Sequence, residues 1–240
     1  MRGKVRRSVK RWSPGAALRL IALLMALLPA SASLLAGNLP SGEPNSAAMN
    51  AAIRQQLLET PLAPYDAAEA ERMASRILEL PQGLLDALID AHVRIRLING
   101  RLTDEPEMLG LRGQTPRGWE HSGLTWDDIP GIGGKLVILR IGYSDHGRGH
   151  GSVNLELHET FHAVDTHVLG RLSASRIWRL LFEQEAQSLF AGTRYEERYP
   201  EEYFAEASAM MFYSPETRAD VAVKAPATYR FLHGLFRVYE

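Results

Sequence analysis

The sequence contains no cysteine among its 240 residues. Disulfide bonds, thiol nucleophiles, cysteine metal ligands and lipids attached to cysteine are therefore excluded. Neither sign of charge is in excess, because 27 Lys and Arg residues stand against 28 Asp and Glu residues. Seven basic residues precede the first acidic one, Glu43, so the rest of the chain carries a net charge near −8. That negative balance argues against nucleic acid as a partner.

The N-terminus has the pattern of an export signal. A basic start leads into an apolar run at residues 16–28, and small residues follow. We expect a signal peptide at residues 1–32, cleaved after Ala32 or Ala36, and then a linker at residues 37–45. The protein would be exported, and therefore periplasmic or secreted. An uncleaved segment would instead anchor it in a membrane, and the N-terminal residue of the mature protein distinguishes the two cases.

The motif H-E-x-x-H is formed by His158, Glu159 and His162, in an apolar segment that predicts a buried helix. Histidines four positions apart share one helix face, with Cβ atoms roughly 5–6 Å apart. Two such imidazoles can bind one Zn²⁺ ion, and Glu159 is placed to take a proton from water there. A chance match on a solvated helix face is the alternative. Buried His and Glu need partners, however, and a metal ion supplies them.

A catalytic zinc ion needs a third protein ligand and one open position. The metzincin pattern is excluded, because Asp165 and Val168 occupy the positions of its Gly and third His. Glu202 is the strongest remaining candidate, and Glu206 lies one turn later, where it can orient a ligand imidazole. Paired Glu residues are also typical of a solvated helix face, so spacing alone leaves the choice open. Asp165 lies nearly two turns from His158, which favours a supporting role over ligation.

Hydrophobic spacing outlines the rest of the chain. It predicts three short helices before residue 92, followed by a half-buried strand at residues 92–98. Long loops at residues 103–134 lead to a second strand at residues 135–142. Beyond the H-E-x-x-H segment the pattern is helical, with helices expected at residues 173–191 and 201–213 and further helices up to the C-terminus.

Local sequence signals predict where the H-E-x-x-H helix begins and ends, and they predict a glycine-rich loop before it. Ser152 is the expected N-cap, and Gly170 is the expected stop after the helix. His146 and His150 lie in the glycine-rich loop just before this helix. Neither has a ligand-like spacing to the motif, so both are interpreted as exposed loop residues.

Several of these residues resemble a known family. Residues 157–165, Tyr195 and residues 202–207 are similar to the catalytic domain of anthrax lethal factor and its relatives, including the Pro-Pro endopeptidases. The shared pattern is H-E-x-x-H followed by A-x-D, a Tyr seven residues before a Glu, and E-[FY]-F-A-E around that Glu. The resemblance covers roughly residues 118–240. Phe161 departs from the pattern, because relatives commonly have Gly before the second His.

The resemblance implies a zinc metallopeptidase of the gluzincin type. Its fold would be α+β and zincin-like, with a small mixed sheet, a central H-E-x-x-H helix and a mainly helical C-terminal half. Three residues are implied as ligands of one Zn²⁺ per chain: His158, His162 and Glu202. Glu159 would be the general base, and Tyr195 would donate a hydrogen bond to the oxyanion, with Tyr199 as its rival. The strand at residues 135–142 would be the sheet edge that pairs with an extended peptide.

We therefore expect a secreted or periplasmic zinc metalloendopeptidase that hydrolyses protein or peptide substrates. One metallopeptidase domain would occupy residues 46–240, with a helical portion at 46–91 that shows no resemblance and a catalytic core at 92–240. The alternatives are a catalytically inactive zinc-binding protein and a membrane-anchored interaction protein on the same fold. Glu159 and Tyr195 count against the inactive protein, because a structural zinc site needs neither.

Overall fold

The structure is a computed structural model that describes residues 46–62, 64–191 and 195–240. The expected signal peptide at residues 1–32 and linker at 37–45 lie outside the described residues. Among the helices that are described, none has the length and apolar character needed to cross a membrane.

Three helices precede residue 92 in the described residues, as the hydrophobic spacing predicts. They are α1 (Ser46–Leu57), α2 (Ala67–Leu78) and α3 (Gln82–Asp90). The side chain of Asp66 caps α2 by accepting a hydrogen bond from the Glu69 backbone N–H at 3.0 Å. Apolar residues of α2 and α3 at helical spacing are fully buried, so these helices pack on the protein core through one face.

A mixed sheet of four strands follows, in the order β1-β2-β4-β3. The strands are β1 (Leu58–Glu59), β2 (Arg94–Ile98), β3 (Gly131–Ile132) and β4 (Leu136–Arg140). β1, β2 and β4 are parallel, and β3 pairs antiparallel with β4. Because β4 lies between β2 and β3, the expectation that the strand at residues 135–142 forms the sheet edge is wrong. The edge on that side of the described sheet is β3.

In the C-terminal half, the residues that the structure describes form five α-helices. They are α4 (Leu155–Ala163), α5 (Arg176–Phe190), α6 (Pro200–Tyr213), α7 (Pro215–Lys224) and α8 (Pro226–Phe236). The last three each begin with proline, which suits the first turn because its missing N–H has no helical partner there. The predicted α+β class is therefore confirmed, with a small mixed sheet beside a mainly helical C-terminal half.

The helix that carries the H-E-x-x-H motif, α4, is capped differently from the sequence expectation. Its N-cap is Asn154, whose side chain accepts a hydrogen bond from the Leu157 N–H at 3.0 Å, so the assignment to Ser152 is wrong by two residues. After Ala163 the chain makes a π-helical turn at Val164–Val168. Gly170, the expected stop, has a φ of +65° and lies beyond the last helical residue.

Aromatic contacts hold α4 against the C-terminal helices. Phe161 is fully buried, and its ring lies 5.5 Å from that of Phe212 and 5.3 Å from that of Phe236. The side chain that departs from the family pattern therefore fills space between α4, α6 and α8. On the other side of α6, the fully buried Trp178 packs against Tyr203 and Phe204. The Phe161 contacts fix the position of α6 relative to α4, and the Trp178 contacts fix α5 against α6.

Candidate metal centre

Two helices bring three possible metal ligands together. His158 and His162 lie one turn apart on α4, and Glu202 lies in the first turn of α6. The two Nε2 atoms are 3.1 Å apart. Glu202 Oε2 is 3.2 Å from the Nε2 atom of His162 and 3.4 Å from that of His158. The structure thus places the two motif histidines and the proposed third ligand in one cluster.

The spacing of these three atoms fits a metal ion. Ligands about 2.0–2.1 Å from a tetrahedral Zn²⁺ ion lie roughly 3.3–3.4 Å from one another. The three observed separations, 3.1, 3.2 and 3.4 Å, are close to that value. Two imidazole nitrogens that face each other at 3.1 Å cannot both carry a proton, because two donors would then point at one another. A cation between them satisfies both lone pairs and the carboxylate.

The electrostatics of the cluster also favour a cation. Burial alone would raise the pKa of Glu202, but its hydrogen bonds with His158 and His162 hold that pKa well below its usual range. Burial likewise opposes a charge on His158, yet the carboxylates of Glu202 and Glu206 raise its pKa well above its usual value. The site therefore holds negative charge that attracts a positive ion or a proton.

A buried carboxylate orients one of the histidines. Glu206 is 1% exposed, and its Oε2 atom lies 3.0 Å from Nδ1 of His158. Its other oxygen accepts a hydrogen bond from the Val153 N–H at 2.7 Å. A carboxylate at Nδ1 keeps the proton on that nitrogen and leaves the lone pair of Nε2 directed at the cluster. Glu206 thus has the position expected of a group that supports a metal ligand.

Glu159 lies beside the cluster, under the β3–β4 hairpin. A Cβ atom added at Gly131 would come within 3.0 Å of Glu159 Cγ, and one at Gly133 would come within 2.8 Å of the Glu159 carbonyl oxygen. The hairpin therefore approaches α4 so closely that position 133 requires glycine, because a Cβ atom there would overlap with His162 Cβ and the Glu159 backbone. At position 131 a Cβ atom would press on side-chain atoms of Leu155 and Glu159, which would have to shift. Burial raises the pKa of Glu159, which moves this carboxylate toward the range suited to a general base near neutral pH.

Asp165 is separate from the ligand cluster. It is 3% exposed, and its two oxygens accept hydrogen bonds from the backbone N–H and the hydroxyl of Ser173, at 2.8 and 2.5 Å. These bonds tie the π-helical turn after α4 to the segment that leads into α5. The supporting role predicted from helix geometry agrees with these contacts.

The two candidate oxyanion donors occupy different environments. Tyr195 lines the groove that contains the cluster, and its hydroxyl donates a hydrogen bond to the Arg117 carbonyl at 3.1 Å. Tyr199 packs beneath the Arg117 guanidinium, which lies 4.0 Å from its ring centroid. The pKa of Tyr195 is raised by burial and by the charge of Glu202, so its hydroxyl keeps its proton and can donate a hydrogen bond.

A groove of about 730 Å³ contains the cluster and is open to solvent. Its walls include Trp119 and Trp126 from the long loop predicted at residues 103–134. His150 also lines the groove, and its ring nitrogens lie 2.7 Å from the Ser152 hydroxyl and from the Tyr143 carbonyl. His150 is therefore half-buried, and its interpretation as an exposed loop residue is wrong, whereas His146 is exposed as expected. No local sequence pattern predicts these contacts of His150, because they form only when the glycine-rich loop folds back on itself.

Comparison with known proteins identifies the family. The model of the anthrax toxin lethal factor N- and C-terminal domain matches residues 45–235. The chain therefore belongs to this family and is a peptide-bond hydrolase of the metalloprotease class. The match begins before α1, so the resemblance extends well beyond residues 118–240 and includes the N-terminal helices in which sequence motifs showed none.

Individual relatives are similar over most of the chain. A Pro-Pro endopeptidase from Paenibacillus alvei is 44% identical over 189 residues, which cover 79% of this chain and 87% of the relative. A Pro-Pro endopeptidase from Clostridioides difficile is 43% identical over 180 residues, covering 75% and 81%. The solved structure of the Paenibacillus alvei enzyme superposes with a TM-score of 0.73 at 45% identity, covering 77% of this chain and 100% of that one.

Proposed function

We propose that the protein is a zinc-dependent endopeptidase that cleaves peptide bonds between two prolines. The proposed zinc dependence is supported by the cluster of His158, His162 and Glu202, whose ligand atoms lie 3.1–3.4 Å apart. Two nitrogens and one carboxylate oxygen form the protein ligand set of many catalytic zinc sites. When bound, the zinc ion would supply Lewis-acid activation of the scissile carbonyl and of water.

The surrounding residues supply the proton chemistry of peptide hydrolysis. Glu159 takes a proton from the attacking water and passes it to the leaving nitrogen. Its position next to both histidines, with a pKa raised by burial, suits both transfers. Tyr195 donates a hydrogen bond to the oxygen that becomes negatively charged during attack. Glu206 holds the ring of His158 in place throughout.

The outer edge of β3 is where an extended peptide would bind. β3 is the last strand of the described sheet on that side, so its outward backbone groups can pair with a substrate strand. Glycine at 131 and 133 lets this edge lie directly over Glu159 and His162. The hairpin thus brings a bound backbone close to the reacting groups.

Preference for two consecutive prolines is proposed from the relatives and from the walls of the groove. Both curated relatives are Pro-Pro endopeptidases at 43–44% identity. The groove is lined by two tryptophans and two prolines: Trp119, Trp126, Pro116 and Pro130. Flat aromatic and proline surfaces bind the rigid polyproline II conformation at low entropic cost.

Removal of the metal is expected to abolish cleavage. The purified protein should contain about one zinc ion per chain, measured by plasma mass spectrometry. A chelator should stop cleavage of a peptide with a central Pro-Pro pair, and one equivalent of Zn²⁺ should restore it. A peptide with alanine in place of either central proline is the matched substrate control. Full activity of a folded, metal-free preparation would contradict zinc dependence, and equal cleavage of the alanine peptides would contradict proline preference.

Tyr195→Phe is expected to lower kcat by roughly 10²–10³-fold with little change in KM, the usual loss for one oxyanion donor. Tyr199→Phe is the matched control, because this ring packs beneath Arg117. Steady-state kinetics on a Pro-Pro peptide would measure both, with melting temperatures to check folding. A loss confined to Tyr199→Phe would transfer the role to Tyr199.

We further propose that the peptidase acts after export, as a periplasmic or secreted protein. The support is the sequence of the first 36 residues, with its basic start, apolar run and small residues before Ala32 and Ala36. Recovery of the protein outside the cytoplasm with an N-terminus at residue 33 or 37 would agree with this. Full-length protein retained in the membrane fraction would contradict it.

A further inference from the structure

The groove extends past the metal centre along α4 and the turn that follows. Leu155, Glu159, His162 and Thr166 line it at intervals of three to four residues, so they follow one helix face. At 1.5 Å per residue, that face is roughly 16 Å long. An extended peptide rises about 3.3 Å per residue, so the groove is long enough for about five substrate residues.

The end of the groove beyond His162 carries two positive charges. Arg171 and Arg179 both line it, and both are exposed. In the described part of the chain neither side chain has an ion-pair partner. Asp165, which lies nearby, is buried and directs both oxygens at Ser173, so it forms no ion pair with either arginine. This end of the groove therefore presents two guanidinium groups to whatever binds there.

The backbone conformation of Arg171 determines the position from which its side chain extends. Arg171 has φ 64° and ψ 55°, a left-handed conformation that is uncommon for a residue with a side chain. Its N–H donates a hydrogen bond to the Asp165 carbonyl at 2.7 Å, directly after the π-helical turn. Unfavourable backbone conformations that persist at the wall of a groove are often associated with function. Arg179, in turn, is fixed on α5, which Ser175 caps.

The direction of β3 gives the orientation of the peptide. Gly131 lies against Leu155 and Glu159, and Gly133 lies against His162, so β3 and α4 run in the same direction. Antiparallel pairs are the more stable type of strand pairing. A peptide that pairs antiparallel with β3 therefore places its N-terminal residues toward Arg171 and Arg179.

We propose that Arg171 and Arg179 form a subsite for an acidic side chain of the substrate, roughly two to four residues before the scissile bond. A planar guanidinium group binds a carboxylate through two parallel hydrogen bonds, which gives direction as well as attraction. The inference rests on the proposed peptidase function and adds a charge preference to it. The subsite selects among peptides that contain the same scissile bond.

The test compares pairs of Pro-Pro peptides that differ only by Glu or Gln at one position, two to four residues before or after the scissile bond. At low ionic strength the protein should cleave the best Glu peptide roughly three- to tenfold more efficiently, with the difference mainly in KM. The ratio should shrink in 0.5 M NaCl, because salt screens exposed charges. Arg171→Gln combined with Arg179→Gln should bring the ratio close to one. Arg176→Gln is the matched control, since Arg176 lies on α5 outside the groove.

The outcomes separate this inference from the function on which it rests. Equal cleavage of every Glu and Gln pair by the unmodified protein overturns the acidic subsite and leaves the peptidase function intact. A preference for Glu that survives in the double variant, or that disappears equally in Arg176→Gln, also overturns it. A preference found only after the scissile bond overturns the orientation derived from β3. Cleavage of no peptide at all overturns the proposed function, and the subsite with it.

Discussion

Glu159→Gln is expected to reduce turnover of a Pro-Pro peptide by roughly 10²–10⁴-fold while the metal content stays unchanged. Glutamine has nearly the same shape, so it fits beneath Gly131 and Gly133, where the hairpin leaves little room. It cannot accept a proton from water, and the loss should therefore appear mainly in kcat. Kinetics on the variant and metal analysis of the same preparation measure the two quantities together.

The control for this variant is Glu183→Gln, which makes the same chemical change at an exposed position of α5. It should keep both metal and activity. Turnover of Glu159→Gln equal to that of the unmodified protein would remove Glu159 from the mechanism. Loss of the metal together with activity would instead assign it a part in metal binding.

Glu202→Ala should have the largest effect on metal binding. Its carboxylate supplies the only negatively charged atom among the three candidate ligand atoms. That oxygen lies 3.2 and 3.4 Å from the two imidazole nitrogens. Without it, two neutral nitrogens remain from one helix, which is too few ligands for a catalytic zinc site. We expect a purified variant with little metal and no measurable peptidase activity. Competition with a coloured chelator would measure the change in affinity.

Variants at two neighbouring glutamates should lose less metal affinity than Glu202→Ala, and they serve as its controls. Glu206→Gln removes the charge behind His158 and should weaken metal affinity or activity by about 10–100-fold, the usual effect of a group that supports a ligand. Glu201→Ala changes the adjacent residue, which pairs with Arg117 at 2.7 Å, and should leave metal content unchanged. An undiminished metal affinity in Glu202→Ala would show that another group completes the site.

Local features of this site could be predicted from the sequence, because helix geometry determines them. His158 and His162 had to share one face once the segment was helical. Glu202 is 40 residues after His162, and no helix rule connects them. The contact between α4 and α6 depends on the packing of residues such as Phe161 and Phe212, which residue spacing does not encode. Only the resemblance to a family pointed to Glu202 in preference to a solvated pair of glutamates.

The arrangement of the strands was the main feature that the sequence did not reveal. The apolar run of β4 predicts a strand. The strands that lie beside it, β2 and β3, depend on pairing between separate parts of the chain. β3 has two residues, one of them glycine, so it carries no alternating pattern to detect. The order of the strands along the chain therefore predicts the wrong strand as the sheet edge. His150 was missed for a similar reason, because its partners Tyr143 and Ser152 meet it through a loop.

The contacts among the rings of Phe161, Phe212 and Phe236 have a practical consequence for handling the protein. Phe236 lies in α8, and its ring is 5.3 Å from that of Phe161, the residue directly before His162. A truncation that removed Phe236 would take away one of the two aromatic rings that pack against Phe161 on the H-E-x-x-H helix. Truncated variants that lack Phe236 should therefore be checked for metal retention before their kinetic data are compared with those of the unmodified protein.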